Sequence, residues 1–319
     1  MRKQIVRSLE KKPDGTPSDI AQRMVSEGAR LRNAALDWLF YDVGALTPEE
    51  RGVLLAEDNA EGAILVVHPR GARGAVSLQK FDTYEDLCSA PGRKLNAFVV
   101  SGVGSSDVGA AALARNVADH TGQPVGAVVA GYGMADLLSE AMGGWFFFGA
   151  VNATLNRLHR GAAARPERAE AVAATLSAMR GGTLSPEELA TASQVAAGFS
   201  PDTMTVLRLL TEPERRVDLL VGHSKGCLSI AFALEALAWL KDADAIGKAW
   251  AARVLTLGAV VEFPDGYDNV VQVIGSLDGF GGLNSRPFKR ADFVPGAWHH
   301  LNARLPFHLD VSSVLARHL

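Results

Sequence analysis

The pentapeptide Gly222-His223-Ser224-Lys225-Gly226 constrains this chain more than any other feature, because of what flanks it. Val217-Asp218-Leu219-Leu220-Val221, just before it, is short, apolar and β-branched at its ends, and reads as a buried strand. Cys227 to Leu237, just after it, is rich in Ala and Leu and long enough for a buried helix. A serine between two glycines at such a junction sits on a very tight turn with strained backbone. A side chain at either glycine would collide with the neighbouring strand or helix. The same turn aims the first amides of the helix at the serine, where they can meet developing negative charge.

The rest of the chain repeats the strand-helix theme. Ala63–Val67, Ala97–Val100, Val125–Val129, Val254–Leu257 and Val270–Ile274 are compact Val/Ile/Leu-rich runs, and Ala75–Leu78 is a further candidate strand. Helical stretches fall at Ala110–Val117 and from Asp136 onward. Near-continuous apolar strands alternating with helices predict a doubly wound, mostly parallel sheet covered on both faces. A core of residues 60–133 and 216–319 follows, preceded by an N-terminal helical region (1–60) that packs on it. Apolar positions from about 18 to 40, including Ile20, Met24, Leu31, Leu36 and Leu39, recur at helical spacing. Residues 134–215 are too long for a simple crossover and read as an inserted helical cap, its Trp145–Phe148 aromatic run either plain core or the wall of an acyl site.

Composition narrows the classes of function. The 319 residues suffice for one large domain with an insertion, and 48% hydrophobic with 21% charged residues is ordinary for a globular chain. A formal charge of −3 and the absence of a basic stripe give no nucleic-acid footprint. The two cysteines, Cys88 and Cys227, have no metal-type spacing and make no disulfide framework. No cofactor or metal is expected. The charged N-terminus lacks a signal peptide's apolar core and no stretch approaches a membrane span, so a cytoplasmic location is expected. Gly102-Val103-Gly104 invites a dinucleotide reading, but Asp107 stands at its third glycine position, where a carboxylate would repel a pyrophosphate.

A nucleophilic serine needs a base, an acid and oxyanion donors. In sheets of this kind the acid follows a strand downstream, and Asp278 stands directly after Val270–Ile274, where it could hold an imidazole in the right tautomer. Asp278 could instead simply shape an Asp-Gly turn. Glu262, after the preceding strand, is the rival acid. The histidine should follow the last strand, which leaves His299, His300 and His308 as candidates. Asp292–His299 reads as a strand ending in a Gly-Ala turn that delivers His299; His300 would point elsewhere if the loop is extended. Oxyanion donors are expected from the Lys225 amide and from the Gly-rich loop after the third strand, at Val103 or Ser105.

Together these residues resemble the α/β-hydrolase superfamily from about residue 60 to the end. Gly222 to Gly226 looks like its nucleophile elbow, Asp278 like its acid, and Pro295-Gly296-Ala297-Trp298-His299 like its histidine turn. Leu305-Pro306-Phe307-His308-Leu309 is also similar to the histidine region of the class 3 lipase branch. The resemblance implies an α/β-hydrolase fold and a lipase- or esterase-like serine hydrolase, acting on a small-molecule or lipid ester through an acyl-enzyme. Acyl transfer, thioester cleavage and a non-catalytic binding protein on the same scaffold are the alternatives. The chain departs from lipases at Lys225 and in lacking a His-Gly-Gly-Gly oxyanion loop.

Overall fold

The computed structural model describes residues 36–56, 61–72, 77–90, 95–102, 104–130, 200–240, 243–285 and 289–319. Eight strands form one sheet: β1 (Ile64–Val67), β2 (Leu78–Phe81), β3 (Ala97–Val100), β4 (Val125–Val128), β5 (Leu219–His223), β6 (Arg253–Leu257), β7 (Val270–Gly275) and β8 (Asp292–Val294). Their spatial order is β2-β1-β4-β3-β5-β6-β7-β8. Every neighbouring pair from β4 to β8 is parallel. β1 pairs antiparallel with both β2 and β4. All four residues of β1 are buried, so it lacks the alternation that would have marked an antiparallel strand in the sequence. Of the strand expected at Ala75–Leu78, residues 75 and 76 lie outside the described residues, and Leu78 opens β2.

Both faces are covered, as an α/β sheet requires. One face carries α3 (Asp107–Thr121) and the C-terminal α8 (Val311–His318), with α1 (Pro48–Ala56) packed against α3. A buried ion pair joins α1 to α3, with Arg115 Nη2 2.6 Å from Glu50 Oε1. The other face carries α4 (Pro201–Thr211), α5 (Lys225–Leu240) and α6 (Ala243–Ala251), with the short α2 (Tyr84–Ser89) at its edge. α4 closes the stretch expected to form a cap, and here it is a helix buried against α5. Residues 131–199, which hold the rest of that stretch and its aromatic run, lie outside the described residues. So do residues 1–35 of the N-terminal region; residues 36–40 are helical.

Among the described residues no helix is long and apolar enough to cross a membrane. Strand order reverses around β3: the chain leaves β3 for β4 on one side and then enters β5 on the other. In open α/β sheets the crevice at such a reversal, beyond the carboxyl ends of the strands, is where ligands bind. Here those ends carry Ser101-Gly102 and Ser224.

Candidate active site

Ser224 stands between β5 and α5 with φ 53°, in the left-handed region that L side chains rarely occupy. Packing leaves the turn no alternative. A Cβ on Gly226 would stand 2.1 Å from the Val100 carbonyl oxygen, and one on Gly222 would stand 2.8 Å from Cys227 Cα. Both obstacles are backbone, so neither can move aside. The turn is pinned by Ser224 N–H donating to Leu257 O at 2.9 Å and by Cys227 N–H donating to Ser224 O at 3.1 Å. Cys227, in the first turn of α5, is a buried thiol, and burial pushes its pKa up to about 12. The amide of Lys225 opens α5, where no carbonyl of the helix's own can reach it. Its side chain is buried, with Nζ 3.7 Å from Glu61 Oε1.

Asp278 and His299 meet on the other side of the turn. Asp278 is the N-cap of α7 (Gly279–Asn284), its Oδ1 accepting from Gly281 N–H at 2.6 Å. Its Oδ2 lies 2.8 Å from His299 Nδ1, and both residues are buried. One carboxylate therefore shapes the Asp-Gly turn and holds an imidazole at once. With Nδ1–H committed to the carboxylate, Nε2 is left as the basic nitrogen. Gly258, with φ +70°, lies flat against this ring: a Cβ there would stand 3.0 Å from His299 Cε1. Phe40 meets the imidazole edge-on, with ring centroids 5.9 Å apart. Ser224 and His299 thus flank the Leu257-Gly258 turn. Ser224 Oγ makes no hydrogen bond to His299 among the described residues; such bonds are often long before substrate tightens a site.

The remaining sequence candidates are placed elsewhere. Trp298 N–H donates to Phe307 O and Leu309 N–H to His300 O, so residues 298–300 are held beside 307–309. The His300 ring meets that of Trp298 edge-on, with centroids 5.5 Å apart, while His299 turns to Asp278. His300 Nε2 lies 3.0 Å from Pro306 O, and burial lowers its pKa. His308 Nδ1 faces its own turn at Leu305 O, 3.2 Å away. Glu262 pairs with Lys289 at 3.4 Å. The structure brings neither His300, His308 nor Glu262 into the Asp278–His299 pair.

The loop after β3 closes the third side. A Cβ on Gly102 would stand 3.1 Å from Ser224 Cβ, so the loop backbone passes directly against the serine. Gly102 N–H is itself taken, donating to Tyr41 Oη at 2.6 Å. Val103 lies outside the described residues. Ser105 is buried and its N–H donates to Gly102 O, so that amide closes the turn rather than facing the serine. Asp107, which heads α3, pairs with Lys80 at 2.7 Å.

Sequence reasoning missed Asp37 and Tyr41. The Asp37 carboxylate, wholly buried, accepts from Ser106 N–H at 3.0 Å and from the Ser106 hydroxyl. Tyr41 Oη lies 2.9 Å from His223 Nδ1, and His223 Nε2 lies 3.0 Å from His299 O. Burial pushes the His223 pKa down to about 3. A separate open groove of about 580 Å³, bordered by Phe263, Tyr267, Lys289 and Asp292, touches neither Ser224, Asp278 nor His299.

Comparison of the chain with family models, with curated proteins and with solved structures gave no match.

Proposed function

We propose that this protein is a serine hydrolase of the α/β-hydrolase type that cleaves a carboxylic ester, with Ser224 as nucleophile, His299 as base and Asp278 as its orienting acid. One observation carries the reading. A serine held at φ 53° between a parallel strand and a helix stands across a single turn from a buried Asp278–His299 pair. Structural serines have no need of left-handed backbone, which costs about 1–3 kcal/mol. A buried carboxylate–imidazole pair beside it is what a weak nucleophile requires.

The chemistry follows from the atoms. Ser224 Oγ attacks the ester carbonyl while His299 Nε2 takes its proton, and the Asp278 carboxylate stabilises the imidazolium through Nδ1–H. The tetrahedral oxyanion is met by the Lys225 amide. Collapse expels the alcohol, which leaves with the proton from His299. Water then attacks the acyl-serine, giving its proton to His299 and releasing the acid, and Ser224 recovers its proton.

The deciding experiment is covalent. Purified protein treated with a fluorophosphonate is expected to gain a single adduct by mass spectrometry, and the adduct is expected to disappear in Ser224→Ala. Well-folded protein that fails to label would leave the scaffold as a non-catalytic binding protein. Competing acceptor alcohols, amines and thiols against water, and esters against thioesters, separates hydrolysis from acyl transfer and thioester cleavage. An ester series of increasing chain length tests the preference for medium or long chains expected from an apolar acyl site.

A further inference from the structure

The loop between β3 and α3 is closed by Ser105 N–H donating to Gly102 O at 3.2 Å. That bond shapes the turn but does not place it against Ser224. Two side chains from far away in sequence do. At the start of the loop, Gly102 N–H donates to Tyr41 Oη at 2.6 Å. At its end, the Asp37 carboxylate accepts from Ser106 N–H at 3.0 Å and from the Ser106 hydroxyl. Asp37, Tyr41, Gly102 and Ser106 are all buried, so neither grip competes with bulk water.

The two grips come from a single turn of chain. Tyr41 N–H donates to Asp37 O at 2.8 Å, the helical spacing that makes two side chains neighbours. That turn is itself fixed at two further points. Trp38 O accepts from Asn302 Nδ2 at 2.7 Å, and Phe40 O accepts from Leu301 N–H at 2.7 Å, both on the stretch that continues from His299. Gly109, in α3, leaves the space that the carboxylate fills: a Cβ there would stand 2.0 Å from Asp37 Oδ1.

We infer that Asp37 and Tyr41 are positioning residues for the loop after β3, gripping its two ends so that its backbone is held against Ser224. The inference rests on the hydrolase reading for its kinetic consequences. A Cβ on Gly102 would stand 3.1 Å from Ser224 Cβ and 3.2 Å from Tyr41 Oη, so the residue that borders the serine is the one Tyr41 holds. A buried N–H that loses its acceptor is penalised by desolvation, and the peptide relieves this by turning toward another acceptor. Turning the Ser101–Gly102 peptide moves the backbone that borders the reacting atoms. A misplacement of about 1 Å at such a place can cost about 100-fold.

Tyr41→Phe removes one grip, Asp37→Ala removes the other, and Asp37→Asn keeps an oxygen for Ser106 N–H. Kinetics are compared at a temperature where circular dichroism shows each variant folded, because a merely structural role would lower Tm and spare kcat. Tyr41→Phe and Asp37→Ala are each expected to lower kcat and the rate of fluorophosphonate labelling by about 10- to 100-fold with KM little changed, and Asp37→Asn by less than about threefold. Amide hydrogen exchange is expected to show Gly102 losing protection in Tyr41→Phe and Ser106 in Asp37→Ala, while the amides of β6 keep theirs. An unchanged kcat, equal losses in Asp37→Ala and Asp37→Asn, or exchange that rises as much in β6 as in the loop would overturn the inference. Should the wild type react with neither ester nor fluorophosphonate, the hydrolase reading fails alone, and the exchange pattern still decides whether the two side chains hold the loop.

Discussion

Asp278 Oδ2 lies 2.8 Å from His299 Nδ1, while the other oxygen of the same carboxylate accepts the Gly281 amide at 2.6 Å. Asp278→Asn keeps the size of the group and can keep the turn, but it presents an amide that favours the wrong imidazole tautomer. Turnover of a p-nitrophenyl ester is expected to fall by about 10³- to 10⁴-fold with KM nearly unchanged. Loss confined to KM, or less than tenfold in kcat, would remove Asp278 from the proposed machinery. Glu262→Gln, which weakens the pair with Lys289, is expected to leave kcat within about twofold.

Two glycines in helices are expected to respond in opposite directions to the same substitution. Gly226→Ala places a methyl 2.1 Å from the Val100 carbonyl, and relief requires β3 and α5 to separate. A loss of about 3 kcal/mol or more, or failure to fold, is expected from overpacking at a backbone contact. Gly247, in α6, has nothing within 4 Å of the same methyl. Gly247→Ala is expected to stabilise by about 0.5–1 kcal/mol through helix propensity. Chemical denaturation of the two variants beside the wild type checks both signs.

Asp37 predicts a pH dependence of stability. Burial raises its pKa from 3.8 to about 7, with hydrogen bonds from Ser106 and Ser105 offsetting only part of the desolvation. The folded protein therefore holds this proton more tightly than the unfolded chain does. The contribution is complete below the unfolded value of 3.8 and is lost as pH rises through about 7. The shift corresponds to an upper bound of roughly 4 kcal/mol at 1.36 kcal/mol per unit. Asp37→Asn carries no charge, so its stability relative to wild type is expected to improve steadily from pH 4 to pH 8. Denaturation curves that stay parallel over that range would contradict the ionisation assigned to Asp37.

The contrast between Ser224 and Tyr41 shows which parts of such a site can be read from sequence. The elbow was legible because its cause is local: five residues, two obligatory glycines, and the strand and helix that touch them. Asp278 was legible for the same reason, as the residue that caps a turn at the end of an apolar strand. Neither the fold's antiparallel edge nor the Tyr41 contacts had a local signature. β1 is buried on all its residues, so its period resembles that of a parallel strand. Tyr41 meets Gly102 across 61 positions and His223 across 182, and no spacing rule spans such distances. The most a sequence could have offered was an apolar helical stretch running up to residue 40, with a tyrosine and an aspartate on it and no indication of what they face.

The three C-terminal histidines provide the most direct separation of roles. In sequence they were rivals, because the choice among them depends on which way an extended loop turns its side chains. The loop, held to 307–309 by two main-chain hydrogen bonds, puts His299 on Asp278 and His300 beside Trp298. His308 belongs to a turn whose neighbour Phe307 has φ 64°, and its ring faces Leu305 O. His299→Ala is expected to lower kcat by at least about 10³-fold, in the range seen when a catalytic base is removed. His308→Ala is expected to keep kcat within about threefold, since it removes a part-buried local contact and nothing that reaches Asp278. His300→Ala leaves a buried space beside Trp298 and is expected to lower Tm more than kcat. Ester turnover and thermal denaturation measured on the same three preparations would separate these outcomes, and a large kcat loss confined to His308→Ala would transfer the role of base to that turn.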